Sequence, residues 1–122
     1  MIKVQREKPQ LESLGQGRFR VGGLLDATTV TRLLEDGQTR FHGISNVTID
    51  LGGVTESDSS GLALLLEWLR LARKGNQRIR FDHVPQQIIA LARISEVDDL
   101  LLENGSAAAS TQDASSATPA TA

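Results

Sequence analysis

A short polar turn that opens into a strongly apolar helix constrains the fold of this chain more than any other feature. The turn is Asp58-Ser59-Ser60-Gly61, and the apolar run Leu62–Leu66 follows it at once. The segment Asn46–Leu51 before it alternates polar and apolar side chains, which is typical of a strand. The turn is therefore expected where a strand ends and a helix begins, beside backbone N–H groups that lack intrahelical partners. Such a site suits partner contact or phosphorylation better than catalysis.

Glycines and a capping aspartate divide the part of the chain before the turn. Residues 10–14 and 18–21 flank a Gly-Gln-Gly sequence and predict a β-hairpin. Asp26 is the expected N-cap of a helix that ends at Gly37, and the strand Asn46–Leu51 is expected to break at Gly52-Gly53. The expected buried face of that helix consists of Val30, Leu33 and Leu34.

The part of the chain after the turn predicts two further helices and one more strand. The helix that follows Asp58 is expected to run to Lys74, and the strand Arg78–Asp82 comes next. Pro85 is expected in the first turn of a helix whose apolar face is Ile88, Leu91 and Ala92, and a short element over 97–102 packs last. This order predicts an α/β fold, a mixed β-sheet with an N-terminal hairpin and helices packed mainly on one face.

The chain of 122 residues is expected to form one domain. An N-terminal extension covers 1–9 and the domain covers 10–104. From residue 105 to 122 the composition shifts to Ser, Ala, Thr and Pro without periodicity, which predicts a disordered tail.

Composition excludes several classes of function. The chain has no cysteine, so disulfides and thiolate metal sites are excluded, and its two histidines, His42 and His83, lack metal-ligand spacing. A net charge of −2 argues against nucleic-acid binding. A charged N-terminus and short apolar runs predict neither a signal peptide nor a membrane span, and hence a cytoplasmic protein. No metal and no cofactor is expected.

The helix after Asp58 carries more apolar surface than one core face needs. Leu62, Leu65 and Leu69 fall on one face, and Leu64 and Trp68 lie beside it. Two interpretations stay open: neighbouring helices cover the excess as core, or Leu64, Trp68 and Leu71 form the rim of a protein–protein interface.

The turn itself also has two interpretations. Asp and Ser are preferred N-cap residues, so the turn is in one interpretation an ordinary cap. In the other it contacts a partner, Gly61 permits close approach of another backbone, and phosphorylation of Ser59 adds charge beside Glu56 and Asp58. The expected partner-binding set is Thr55, Glu56, Ser57, Asp58, Ser59, Ser60, Gly61, Leu64 and Trp68.

Catalytic motifs are weak. The chain has no Gly-x-Ser-x-Gly elbow and no phosphate-binding loop with its lysine. Asp50, Glu56 and Asp58 are carboxylates without an evident substrate cleft, and no catalytic residue is assigned. Basic residues between Arg70 and Arg80 predict either a solvated face or contact with an acidic partner or lipid head groups.

Three segments resemble the STAS domain family: Gly23-Leu24-Leu25-Asp26, the strand Asn46–Leu51 and, above all, the turn that begins at Asp58. The resemblance covers residues 10–102 and implies the STAS fold. In anti-sigma antagonists of this family the serine that follows the aspartate is the kinase target, and that position is Ser59 here. The resemblance thus implies one function, an antagonist switched at Ser59.

The segments Leu62–Leu66, Leu71–Asn76, Val84-Pro85 and Leu91-Ala92 are closer to the STAS subunits of Mla phospholipid-transport ABC complexes. That resemblance implies a non-catalytic subunit that binds the cytoplasmic ATPase and supports its assembly and activity, in a complex that maintains outer-membrane lipid asymmetry. It also implies a cytoplasmic location, peripheral to the inner membrane, without direct membrane insertion. The Ser-Ser pair after Asp58 is closer to the antagonist pattern, so both functions stay open.

Overall fold

The computed structural model describes residues 10–105. The expected extension 1–9 and, apart from residue 105, the expected tail 105–122 lie outside the described residues. Four strands and four helices form the described part of the chain. In chain order they are β1 (Leu11–Gly15), β2 (Arg18–Leu25), α1 (Ala27–Arg40), β3 (Asn46–Ser57), α2 (Ser59–Lys74), β4 (Arg78–Asp82), α3 (Gln86–Ile94) and α4 (Asp98–Gly105).

The four strands form one mixed sheet in the order β1-β2-β3-β4. β1 and β2 pair antiparallel through the turn of residues 15–17, where all three residues have left-handed φ angles. β2, β3 and β4 are parallel, so α1 and α2 are the crossover helices that connect them. The expected mixed sheet with an N-terminal hairpin is confirmed.

The core lies on one face of this sheet. Alternate side chains of the three parallel strands are buried on that face, and α1 to α4 all contribute residues to the same cluster. On β2 and β4, the positions between these buried residues include exposed arginines on the other face. The buried hydrophobic residues of the three parallel strands are Phe19, Val21, Leu25, Val47, Ile49, Leu51, Ile79 and Phe81. The exposed arginines are Arg18, Arg20, Arg78 and Arg80.

The predicted end of β3 at Gly52-Gly53 is wrong, because the strand continues to Ser57. Gly22 of β2 pairs with Gly53, and a Cβ on Gly53 would lie 3.2 Å from the Cα of Gly22. The glycines therefore let two strands approach closely at a shift in register. β2 also extends past its predicted end, to Leu25.

The predicted end of α1 at Gly37 is also wrong, because the helix runs to Arg40. Gly37 is buried, and a Cβ there would lie 2.5 Å from Nε1 of Trp68 and 2.9 Å from Cε2 of Phe41. Its missing side chain lets α1 pack against α2, so the glycine serves tertiary packing rather than helix termination.

Other boundaries are confirmed. Asp26 caps α1, α2 ends at Lys74 before the C-cap Gly75, and β4 spans the predicted residues. Pro85 is the N-cap of α3, one position before the first helical turn where it was expected. In the described part of the chain, no helix has the length and apolar character to cross a membrane.

Candidate functional site

The turn between β3 and α2 is built around the carboxylate of Asp58. Asp58 is the N-cap of α2, and its Oδ1 accepts a hydrogen bond of 2.7 Å from the backbone N–H of Ser60. The backbone N–H of Asp58 donates to the carbonyl oxygen of Leu25 at 3.2 Å, which ties the turn to the end of β2. Local sequence thus fixes the start of α2 at the edge of the sheet.

Ser57 and Gly61 lie beneath this turn, and the hydroxyl of Ser57 occupies the space that a side chain at position 61 would need. Ser57 is 9% exposed, and its hydroxyl donates to the carbonyl of Asp58 at 3.0 Å. A Cβ on Gly61 would lie 2.0 Å from Oγ of Ser57, and the backbone N–H of Ser57 donates to Oε1 of Gln87 on α3 at 3.1 Å. The expectation that Ser57 and Gly61 face a partner is wrong, because Ser57 fills the space that Gly61 leaves.

Four of the expected contact residues do form an exposed surface, and a fifth is half-buried. Thr55, Glu56, Asp58 and Ser59 are exposed, and Ser60 is half-buried. Ser59 is the first residue of α2. Within residues 10–105, no hydrogen bond is made by the hydroxyl of Ser59 or by that of Ser60. The turn therefore presents two free hydroxyls beside exposed carboxylates.

The expected apolar rim of this surface is wrong. Leu64 is 3% exposed and Trp68 is 1% exposed, because α1 covers this side of α2. The rings of Phe41 and Trp68 make an edge-to-face contact with centroids 5.3 Å apart. The apolar excess of α2 is core, the first of the two interpretations, and the indole Nε1 has no hydrogen-bond partner among the described residues.

One exposed apolar residue outside the expected contact set, Leu24, lies beside the turn. Leu24 is 43% exposed and is aligned with Glu56 on β3, whereas Leu25 is fully buried beside Ser57. The signal was present, because two adjacent leucines on a strand point to opposite faces. An exposed apolar residue beside the turn was expected at Leu64 or Trp68, and the structure has one at Leu24 instead.

Three helices begin at this edge of the sheet, because the parallel strands β2, β3 and β4 all end there. α1, α2 and α3 have no acidic residue in their first turns. The N-terminal dipoles of α1 and α2 are therefore balanced locally by the capping carboxylates Asp26 and Asp58, whereas the N-cap of α3 is Pro85, which makes no side-chain cap hydrogen bond. Hydrogen bonds from the Thr28 hydroxyl and the Thr29 N–H hold the pKa of Asp26 below its usual value.

Asp50 belongs to a separate cluster on the outer face of the sheet. Its Oδ1 accepts from the backbone N–H of Gly52 at 2.8 Å and lies 2.9 Å from Nδ1 of His83. Partial burial raises the pKa of Asp50, but the Gly52 N–H, His83 and Arg20 outweigh it and lower the pKa overall. Residues 10–105 contain no group of three His, Asp or Glu side chains arranged to hold a metal ion.

Comparison with known proteins gave one family and a set of similar folds. The family model described as "MlaB, STAS domain" matches residues 11–103. Among solved structures, 14 chains are similar. One, described as the anti-sigma factor antagonist SpoIIAA in its unphosphorylated form, has a TM-score of 0.60 and 18% identity over 87% of each chain.

A second similar structure is described as the crystal structure of Mglu. It has a TM-score of 0.52 and 22% identity, and the alignment covers 64% of this chain but 20% of that one. The search of curated proteins gave no match. At these identities the likeness to the two solved structures shows the fold alone.

Proposed function

The chain belongs to the STAS domain family, in its MlaB-like branch, and from this premise we propose that it is a non-catalytic subunit of an Mla-type ABC transporter. STAS domains are generally regulatory domains that mediate protein–protein interactions. The partner in this proposal is the cytoplasmic ATPase, at the inner membrane. The subunit supports assembly and activity of the ATPase in phospholipid transport, which maintains outer-membrane lipid asymmetry.

The observation that carries the proposal is the pair of free hydroxyls at Ser59 and Ser60. They stand at the start of α2 on a backbone that Asp58, Ser57 and Gln87 hold in place. Because this backbone is ordered before binding, the turn itself loses little conformational entropy when a partner docks there. The contact surface consists of Leu24, Thr55, Glu56, Asp58, Ser59 and Ser60.

Binding energy alone is sufficient for the mechanism. A subunit that binds one conformation of the ATPase more tightly than another shifts the population toward that conformation. Small hydroxyl side chains at the centre of the surface allow close contact between the two proteins. A charged side chain at Ser59 would have to be desolvated without a matched partner, which disfavours the complex.

Co-purification with an Mla-type ATPase tests the proposal, with wild type compared with Ser59→Glu. An acidic residue in the first turn of a helix is favourable, so Ser59→Glu keeps the fold. We expect it to abolish co-purification. The matched control is Ser95→Glu, because Ser95 is exposed at the end of α3 and far from the turn in sequence.

The control variant should co-purify like wild type, and circular dichroism should show all three proteins folded. Retention of the ATPase by folded Ser59→Glu would exclude the turn as the docking surface. Failure of folded wild type to bind would exclude the ATPase as the partner.

The exposed, unbonded hydroxyl of Ser59 also favours a second function, that of an anti-sigma antagonist switched by phosphorylation. A phosphate at Ser59 would place about two negative charges beside Glu56 and Asp58 and repel a partner fitted to the neutral surface. Incubation with ATP and candidate kinases, followed by intact mass measurement, tests this function. Stoichiometric phosphate on wild type, absent from Ser59→Ala, supports it, and an unmodified wild type excludes it for those kinases.

A further inference from the structure

We propose that the outer face of the sheet binds an acidic segment of a partner protein, through a basic surface near the start of the parallel strands. The basic surface consists of Arg18, Asn46, Thr48, Arg78 and Arg80. The strands β2, β3 and β4 begin with residues of this surface, whereas the Asp58 turn follows the end of β3. The two surfaces are at opposite ends of the sheet, so binding at one does not require binding at the other.

The outer face is accessible to a partner. Helices α1 to α4 all contribute their buried residues to the core on the opposite face of the sheet. The three arginines and Asn46 are exposed, and Thr48 is half-buried. The side chains of the basic surface therefore lie on the face that the core does not use.

The register of the strands places the arginines around two neutral residues. Thr48 on β3 is aligned with Arg18 on one side and with Arg80 on the other. Asn46 is aligned with Arg78 on β4. Because neighbouring strands are about 4.8 Å apart, the Cα atoms of Arg18 and Arg80 are separated by about 10 Å, with the neutral Thr48 between them.

The positive charge of the basic surface is only partly neutralised by the fold. Asp82 pairs with Arg80 at 3.0 Å. Arg18 and Arg78 form no ion pair with any residue between 10 and 105. Asp50 is aligned with Asp82, further along the strands, and is hydrogen-bonded within its own cluster. Two guanidinium groups are therefore available to carboxylates of a partner.

The spacing of these charges matches an extended acidic segment. Alternate side chains of an extended chain point to the same side and are about 7 Å apart. Carboxylates at such positions can meet guanidinium groups that are spread over three strands, whereas one compact anion would require the arginine side chains to converge. Guanidinium binds carboxylate oxygens in bidentate geometry, which gives each contact a defined direction.

The net charge of the chain disfavours larger polyanions at this surface. The chain carries a net charge of −2, so its overall field does not attract an anionic bilayer or a nucleic acid. A short acidic segment contacts the basic surface alone, and exposed charges more than about 8 Å away are largely screened at physiological salt. Local charge complementarity therefore favours a segment of protein.

Fluorescence anisotropy with a labelled peptide of alternating glutamate and serine tests the proposal. We expect binding that weakens as salt is raised, because exposed ion pairs are screened, and no binding of a peptide of alternating lysine and serine. The double substitution Arg18→Gln and Arg78→Gln should lower the affinity for the acidic peptide about tenfold. The matched control is Arg32→Gln with Arg93→Gln, which removes the same charge from exposed positions on α1 and α3 and should leave the affinity unchanged.

Amide chemical shifts on titration with the acidic peptide locate the contact. The expected changes fall at residues 18, 46–48 and 78–80 and spare the Asp58 turn. Ser59→Glu, the variant that tests the proposed function, should bind the peptide like wild type, so the failure of one proposal is distinguishable from the failure of the other.

Three results would overturn the proposal. The first is failure of folded wild type to bind the acidic peptide at low salt. The second is an equal loss of affinity in the two double variants, or shifts confined to the turn. The third is tighter binding to phosphatidylglycerol vesicles or to single-stranded DNA than to the peptide, since either would mean that the surface has a different occupant.

Discussion

The two aspartate-capped turns of this protein have the same position in the fold but differ in what their side chains bind. Asp26 and Asp58 each follow a parallel strand and each cap the next helix at the same edge of the sheet. Asp26 accepts from the backbone N–H groups of Thr28 and Thr29 and from the Thr28 hydroxyl. Asp58 accepts from the backbone N–H of Ser60.

The hydroxyls account for the difference. In the first turn, the Thr29 hydroxyl accepts from the N–H of Asp26 at 2.9 Å and donates to the carbonyl of Leu24 at 2.9 Å. In the second turn, the hydroxyls of Ser59 and Ser60 bond to nothing within the described range 10–105. One turn uses its hydroxyls to stabilise the fold, and the other leaves them without a hydrogen-bond partner among the described residues. Similar capping sequences can therefore differ in the hydrogen bonds that their hydroxyls make.

The two turns differ at the third residue after the aspartate, which is Thr29 in the first turn and Gly61 in the second. The largest loss of stability is expected from a substitution at Gly61. Gly61→Ala places a Cβ against Oγ of Ser57, so we expect a loss of about 1–3 kcal/mol in the free energy of unfolding. Urea denaturation measures it. Gly75→Ala is the matched control, because its Cβ would meet no atom closer than 3.6 Å.

A second substitution checks the cause of that loss. Ser57→Ala removes the hydroxyl that the new Cβ meets, so the double variant with Gly61→Ala should regain most of the lost stability. If the double variant is no more stable than Gly61→Ala alone, the interlock of these two residues is not the reason that position 61 is a glycine.

The hydroxyl of Thr29 is hydrogen-bonded and that of Ser60 is not bonded within residues 10–105, so Thr29→Ala and Ser60→Ala should differ in their effects on stability and on ATPase binding. Thr29→Ala breaks the capping box and should cost about 1 kcal/mol of unfolding free energy without affecting the ATPase. Ser60→Ala should change stability by less than about 0.5 kcal/mol and weaken co-purification. Similar stability losses in the two variants, measured by urea denaturation, would remove the distinction between the turns.

Local signals in the sequence were sufficient for much of the fold. The capping aspartates, the alternation of β4 and the shift from strand to helix at Asp58 each depend on a few neighbouring residues. The exposed part of the candidate site, centred on Ser59, followed from the same local signals.

Most of the predictions that are wrong involve glycines or large side chains whose role depends on tertiary contacts. Gly37 and Gly53 each make room for a group that is distant along the chain, and Gly61 makes room for the side chain of Ser57, one helical turn away. The sequence alone instead predicts that Gly37 and Gly53 end a helix and a strand, and that Gly61 is exposed to a partner. For Trp68 the sequence leaves both a core and an interface position open, because Trp is enriched at interfaces, and the structure shows that α1 covers it. No local sequence pattern indicates which neighbouring helix covers the apolar face of α2.

The smallest expected effect is a difference in pH dependence that originates at the first turn. Hydrogen bonds from Thr28 and Thr29 lower the pKa of Asp26 in the folded protein below its ordinary value of 3.8. The resulting stabilisation is fully present above that ordinary value and is lost as the pH falls through the lowered pKa. Asp26→Asn keeps a capping acceptor but does not titrate, so the stability difference between wild type and variant should shrink on acidification.

Urea denaturation at a series of pH values from neutral to strongly acidic measures this difference. Other lowered carboxyl groups, such as Asp50, are present in both proteins and cancel from the comparison. A difference that stays constant through the acidic range would mean that the charge of Asp26 contributes nothing beyond its geometry as a cap. The additional hydrogen bonds to Asp26 would then matter for the shape of the first turn and not for its charge.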